Sequence, residues 1–162
     1  MGKSVLIVID VQNYYINKHT DELPQKIADF IEKNKFDFIL FTQFVNNKDT
    51  NLVKIFNWYK MMSPPDIDIH KILEKYVNKN NVFKKSTYSI FKQKKFNEFL
   101  KKNRITDLFF CGFDTDACIL ASAYEGFDLG YNIKVLEKIT LSHCGTPFEI
   151  VAMKIINKNL QK

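Results

Sequence analysis

Phe110-Cys111-Gly112-Phe113-Asp114-Thr115-Asp116-Ala117-Cys118-Ile119-Leu120-Ala121-Ser122-Ala123 is an apolar run that stops at a polar turn and resumes with helical spacing. The pattern predicts a strand, a sharp turn and a helix. In a parallel α/β sheet such a junction lies at the carboxyl edge of the strand, where ligands bind, and it sets the Cys118 sulfur close to a helix N-terminus. The positive end of a helix dipole favours thiolate, the nucleophilic form of cysteine. A plainer reading fits the same residues: Cys118 as a small apolar side chain on the buried face of a helix, where most free cysteines sit.

Two other ionisable residues stand at the ends of strand-like runs. Asp10 closes Val5-Leu6-Ile7-Val8-Ile9, and Lys85 follows Val82-Phe83 just before Ser86-Thr87-Tyr88-Ser89. If these strands are parallel neighbours, their ends share one edge of the sheet and Asp10, Lys85 and Cys118 can meet there.

Working outward, Val5 to Val11 is apolar except for Asp10, as expected of a central strand covered on both faces. Asp21-Glu22-Leu23-Pro24 opens a helix with acids in its first turn, running to about Asn34. Phe36 to Thr42 is a second strand. Thr50 to Met61 reads as a helix capped by Thr50, with Leu52, Ile55, Phe56 and Tyr59 on one face. Ser63-Pro64-Pro65 breaks the chain before a weaker helical pattern from Ile67 to Tyr76. A short strand follows at Asn81 to Lys85, a helix at Lys92 to Asn103 and a strand at Asp107 to Phe113. The next helix, from about Asp116 to Leu129, stops at Gly130. Ile133 to Leu136 is one more strand, and Pro147 to Asn159 a closing helix. Such alternation predicts a mostly parallel, doubly wound sheet with helices on both faces, in a single domain over residues 1–162.

Composition bounds the function. With 46% hydrophobic and 14% aromatic residues, the chain has the makings of a real core. Only five apolar residues precede Asp10, too few for a signal-peptide core or a membrane span, so neither export nor a membrane partner is expected. Cys111, Cys118 and Cys144 are an odd number, which argues against a disulfide framework and for a cytoplasmic home. The formal net charge is +6, densest between Lys84 and Arg104, yet Arg104 is the sole arginine. Base reading leans on guanidinium forks, so a solvated helix face is the plainer reading and no nucleic-acid partner is expected. His19, His70 and His143 match no common metal-ligand spacing and read as surface or loop residues. A Cys–His pair of His143 with Cys144 is disfavoured, because neighbours on a strand point to opposite faces.

Three motifs in order, Ile7-Val8-Ile9-Asp10-Val11-Gln12-Asn13, Lys85-Ser86-Thr87-Tyr88-Ser89-Ile90-Phe91 and Gly112-Phe113-Asp114-Thr115-Asp116-Ala117-Cys118, resemble those of the isochorismatase-like cysteine hydrolase superfamily, which includes nicotinamidases. The likeness spans nearly the whole chain. It implies a three-layer α/β/α sandwich with Asp10, Lys85 and Cys118 as a catalytic triad, a cis peptide between Phe113 and Asp114, and an oxyanion hole made by the backbone N–H groups of Asp114 and Cys118. It further implies attack of Cys118 on a small-molecule amide, a thioester intermediate, and assembly into a homo-oligomer. Gln12, Tyr14, Phe44, Trp58 and Tyr88 are candidate pocket residues.

The chain also departs from the pattern. Nicotinamidases bind a metal through an Asp-x-His pair after the second strand, where this chain has Phe44 and Asn46, so no metal and no cofactor are expected. The aromatic-rich Trp-Pro-x-His-Cys stretch is replaced by Asn57-Trp58-Tyr59-Lys60-Met61, which disfavours nicotinamide. The alternative is a catalytically silent member of the fold, kept as a binding or assembly module.

Overall fold

A computed structural model describes residues 2–161. Five strands, β1 (Lys3–Ile9), β2 (Phe38–Phe44), β3 (Val82–Lys85), β4 (Ile105–Gly112) and β5 (Asn132–Thr140), form one sheet in the order β3-β2-β1-β4-β5. Every neighbouring pair is parallel, so the sheet is all-parallel where the sequence predicted a mostly parallel one. The helices are α1 (Leu23–Lys33), α2 (Asn51–Phe56), α3 (Lys94–Lys102), α4 (Leu120–Asp128) and α5 (Thr146–Asn159).

The unbroken apolar run of β1 has a simple cause. Val5, Ile7 and Ile9 pack into one core with Phe96, Leu100, Ala123 and Ile156, from α3, α4 and α5. Leu6 and Val8 point the other way, into a second core with Leu23, Ile27 and Ile31 of α1. A strand that buries both faces cannot alternate with polar residues. Each such side chain contributes about 1.5–3 kcal/mol when fully buried, so β1 anchors all three layers.

Several elements differ from expectation. Thr50 caps α2 by accepting from the Val53 N–H, but the helix ends at Phe56, where Asn57 adopts a left-handed backbone with φ 53°. Ile55, Phe56 and Tyr59 are solvent-exposed, and Tyr59 lies beyond the helix, so the three share no buried face. Between Ile67 and Tyr76 only Lys71–Tyr76 forms a short 3-10 helix. Upstream of it the backbone bonds elsewhere: Ile69 bridges Gln12, and the His70 N–H donates to the Val11 carbonyl. Asp21 and Glu22 precede α1 instead of occupying its first turn, and Pro24 stands near its start. β5 runs on to Thr140, which pairs with Gly112 beyond an irregularity in the register. The helix expected from Asp116 begins as a π-helical turn, Thr115–Ile119, and becomes α4; Gly130, with φ 88°, follows its end. Among the described residues, no helix is long and apolar enough to cross a membrane.

Candidate active site

β1 and β4 lie side by side, yet the chain leaves β1 for β2 on one side of it and enters β5 on the far side of β4. The crevice beyond their carboxyl ends is the topological switch point of the sheet, where open α/β sheets take ligands. Ile9 pairs with Gly112 at this edge. A Cβ on Gly112, whose φ is 109°, would lie 2.2 Å from the Ile9 carbonyl oxygen, so only glycine lets the two strand ends close up. Asp10 then turns into a left-handed backbone with φ 51°. On the other strand the Phe113–Asp114 peptide is cis, and the π-helical turn carrying Cys118 follows at once. The Asp114 carbonyl accepts from the N–H groups of both Ala117 and Ile119, at 3.1 Å each, which wraps that turn tightly around the cysteine.

The structure brings Asp10, Lys85 and Cys118 together. Lys85 Nζ donates to Asp10 Oδ2 at 2.6 Å, to Cys118 Sγ at 3.2 Å and to the Thr87 carbonyl at 3.0 Å. The strands bearing Asp10 and Lys85 are not neighbours, because β2 lies between them. The long lysine side chain makes the crossing, with its ammonium 5.1 Å from the centre of the Phe44 ring. Thr42, near the end of β2, completes the cluster: its hydroxyl accepts from the Asp10 N–H at 3.0 Å and donates to Asp10 Oδ1 at 2.5 Å. Sequence reading missed Thr42. Its only signal was a hydroxyl after four apolar residues.

Electrostatics correct one expectation. Burial pushes the Cys118 thiol well above its ordinary value; the Lys85 ammonium opposes this and the Asp10 carboxylate adds to it. The resting sulfur is a thiol, because desolvation outweighs the pull of the lysine. Burial also disfavours the Lys85 ammonium, but Asp10 and Cys118 beside it more than compensate, so its pKa ends above that of a free lysine. Cys111 is buried within β4, and burial alone raises its thiol.

Cys118 opens onto a cavity of about 420 Å³. Of the five candidate pocket residues, Tyr14, Phe44, Trp58 and Tyr88 line it and Gln12 does not. Gln12 is fully buried, its amide donating to the Phe44 and Ile67 carbonyls at 2.9 and 2.6 Å and accepting from the Phe44 N–H at 2.8 Å. A fully buried glutamine that spends both donors and one lone pair on three backbone groups is a clamp and not part of the cavity wall.

His143 is not a bystander. It lines the cavity, with Nδ1 2.7 Å from Asp114 Oδ2 and its backbone N–H donating to Asp114 Oδ1 at 2.8 Å. Donating a hydrogen bond to the Asp114 carboxylate raises its pKa, against the effect of burial. Cys144 Sγ lies 3.5 Å from His143 Nε2, because the two residues sit on the turn after β5, where the alternation of a strand does not apply. His19 pairs with Glu149 at 2.5 Å, and His70 accepts from the Ile72 N–H at the start of the 3-10 helix.

The residues at the metal positions do not fit a metal. Phe44 offers no donor atom. The amide nitrogen of buried Asn46 donates to the Trp58 and Lys60 carbonyls, while its oxygen accepts from Thr50 and Asn47. Among the described residues, no group of three or more His, Cys, Asp or Glu is placed to hold a metal ion.

Fold and site together define a class: an all-parallel, doubly wound α/β protein with a buried aspartate, lysine and cysteine at the switch point of its sheet. The chain belongs to the isochorismatase family, whose domain model matches residues 4–148. Its fold is similar to that of an isochorismatase-like hydrolase from Alkaliphilus metalliredigens, at 16% identity and TM-score 0.86, covering 99% of this chain and 93% of that one. A pyrazinamidase/nicotinamidase from Streptococcus mutans is similar over 97% of both chains, with 22% identity and TM-score 0.82. N-carbamoylsarcosine amidase from Thermoplasma acidophilum matches 98% of this chain and 92% of its own, with 15% identity and TM-score 0.80. No curated protein matches the chain in sequence.

Proposed function

We propose that the protein is a cysteine-dependent hydrolase that cleaves a C–N bond of a small-molecule amide through a thioester. The observation that carries this reading is one lysine ammonium bridging a carboxylate and a thiol, 2.6 Å from Asp10 and 3.2 Å from Cys118, at the wall of a cavity. Membership of the isochorismatase family and the amidases among its structural neighbours support it.

Because burial keeps Cys118 protonated at rest, the sulfur needs a base at the moment of attack. Asp10 is that base. It takes the thiol proton as the sulfur bonds to the amide carbonyl carbon, and the N–H groups of Asp114 and Cys118 receive the developing oxyanion. Collapse breaks the C–N bond, and the amine leaves with the proton from Asp10. A water, giving its proton to the same carboxylate, then attacks the thioester and releases the acid and the Cys118 thiol. Lys85 holds Asp10 in place and balances the charge that moves between carboxylate and sulfur. Thr42 fixes the other carboxylate oxygen, leaving Oδ2 facing the lysine. No step passes through a metal.

A screen of small amides, ureas and carbamates, read as ammonia release and run beside Cys118→Ala, tests the proposal. A hit that vanishes in the variant is the expected result. Hydrolysis that persists without the sulfur would overturn the cysteine mechanism, and a broad screen with no turnover would favour the silent binding module.

A further inference from the structure

We propose that the amide taken by this site carries a positive charge, an ammonium or alkylammonium group seated among the aromatic rings beside Cys118. This rests on the hydrolase reading above and adds the substrate class to it.

Charge at the cavity is the first observation. A second cavity, about 510 Å³, shares Leu52, Phe56 and Tyr88 with the one at Cys118, so the two are contiguous. Among the described residues, no lysine or arginine lines either of them, although the chain has 24. Their linings instead hold Asp49, Asp114 and Asp116. Lys85 is buried beneath, already paired with Asp10. Asp114 is paired with His143, while Asp116 is exposed, accepts from the Ser142 hydroxyl and acts on His143 without bonding to it, so one imidazole faces three carboxylates. A net negative charge therefore remains at the cavity of a protein whose overall charge is +6.

The second observation is the set of rings. Tyr14 stands at 87° to Trp58 and 84° to Tyr15, with ring centres 5.7 and 5.3 Å apart, and Phe44 is tilted 53° from Trp58 at 6.3 Å. Rings meeting from several directions around one space make the kind of cage that holds alkylammonium groups, because each π face is negative. The Phe44 ring already takes the Lys85 ammonium at 5.1 Å.

Ionisable groups around the space respond to the same field. Burial is the largest cause that pushes up the three acidic side chains Tyr15, Tyr88 and Cys144; the Cys118 sulfur comes next at both tyrosines, and carboxylates add to it, Asp10 and Asp114 at Tyr15, Asp116 at Tyr88, and Asp114 with Asp116 at Cys144. Burial disfavours charge of either sign, but the share contributed by the carboxylates has the sign that favours a cation in this space. An amide bearing a carboxylate would meet Asp116 and find no free cation to receive it.

Trimethylammonioacetamide and tert-butylacetamide have the same shape and differ in charge, so they isolate the effect. The chain has a single tryptophan, Trp58, whose fluorescence reports on this cavity directly. Titrating both amides into the wild type and into Cys118→Ala should show the cation binding at least about tenfold more tightly. That ratio should fall toward unity in Asp116→Asn and with rising salt. Equal binding of the two amides, tighter binding of the neutral one, or no binding of the cation would overturn the inference. Ammonia release by the wild type separates it from the reading beneath it. Preferential binding without ammonia upholds the charged-ligand inference and counts against hydrolysis, whereas equal binding with equal hydrolysis of both amides upholds hydrolysis and overturns the inference.

Discussion

Two ion pairs flank Cys118, nearly equal in length and opposite in environment. Asp10 and Lys85 meet at 2.6 Å with both side chains fully buried, while Asp114 and His143 meet at 2.7 Å with their side chains 11% and 28% exposed. Distance alone would rank them together. Burial separates them: the inner pair stays charged only because each partner, Thr42 and the Thr87 carbonyl compensate for lost water, whereas the outer pair keeps part of its hydration. The inner pair is therefore rigid and suited to moving a proton. The outer pair can titrate without disturbing the fold.

The largest effect should come from removing the base beside the thiol. Asp10→Asn removes the proton acceptor, so turnover of any substrate should fall by at least about 10²–10⁴-fold. The same change takes a carboxylate away from Cys118 and leaves Lys85, so the sulfur should ionise at lower pH than in the wild type. A variant with a more reactive cysteine and less activity is the signature of a base acting during attack. Rates of iodoacetamide labelling against pH, followed by mass spectrometry with Cys144 as internal reference, measure the first quantity. A Cys118 that labels at unchanged or higher pH would mean the three groups are not coupled.

A step below in magnitude is stability. Lys85→Met strands a buried carboxylate and should cost about 3–5 kcal/mol, a size set by lost compensation and not by the worth of the pair itself. Combining it with Asp10→Asn removes both charges, so the double variant should be less destabilised than the sum of the singles. Denaturant midpoints of the four proteins test this. Additive losses would show that the pair is more hydrated than its burial implies.

The smallest effect belongs to the outer pair. His143→Gln should cost no more than about 1 kcal/mol, as expected of a partly exposed pair. Its sign with pH is definite. His143 has a raised pKa in the folded protein, so the pair's contribution is fully present below the ordinary histidine value of about 6.5 and is lost as pH rises through the higher folded value. His70 shifts the other way, lowered by burial and by Lys71. Proton NMR of the histidine ring signals should therefore bracket the free value, His143 above and His70 below; the reverse order would contradict the Asp114 contact.

Much of this was legible in the chain. The apolar run of β1, the Thr50 cap, the stop at Gly130 and the strand-to-turn pattern ending in Cys118 are local, and local sterics and periodicity suffice to read them. The order of three motifs pointed to the family and to the three site residues. What sequence alone could not hold were facts that depend on what lies opposite. Gln12 looked like a ligand for substrate and is a backbone clamp; His143 looked peripheral and lines the cavity. Lys85 reaches Asp10 across an intervening strand, a geometry no spacing encodes. The protonation of Cys118 turns on the same point. Its helix-start position and its lysine can be read from the order of residues, but the desolvation that outweighs the lysine arises only when three layers close over the sulfur. Residue order determined the elements, the sheet and the chemical groups at its edge, because those follow from short-range pattern. Tertiary structure decided which groups meet, how dry they are and what charge they carry, because those energies depend on everything packed around them.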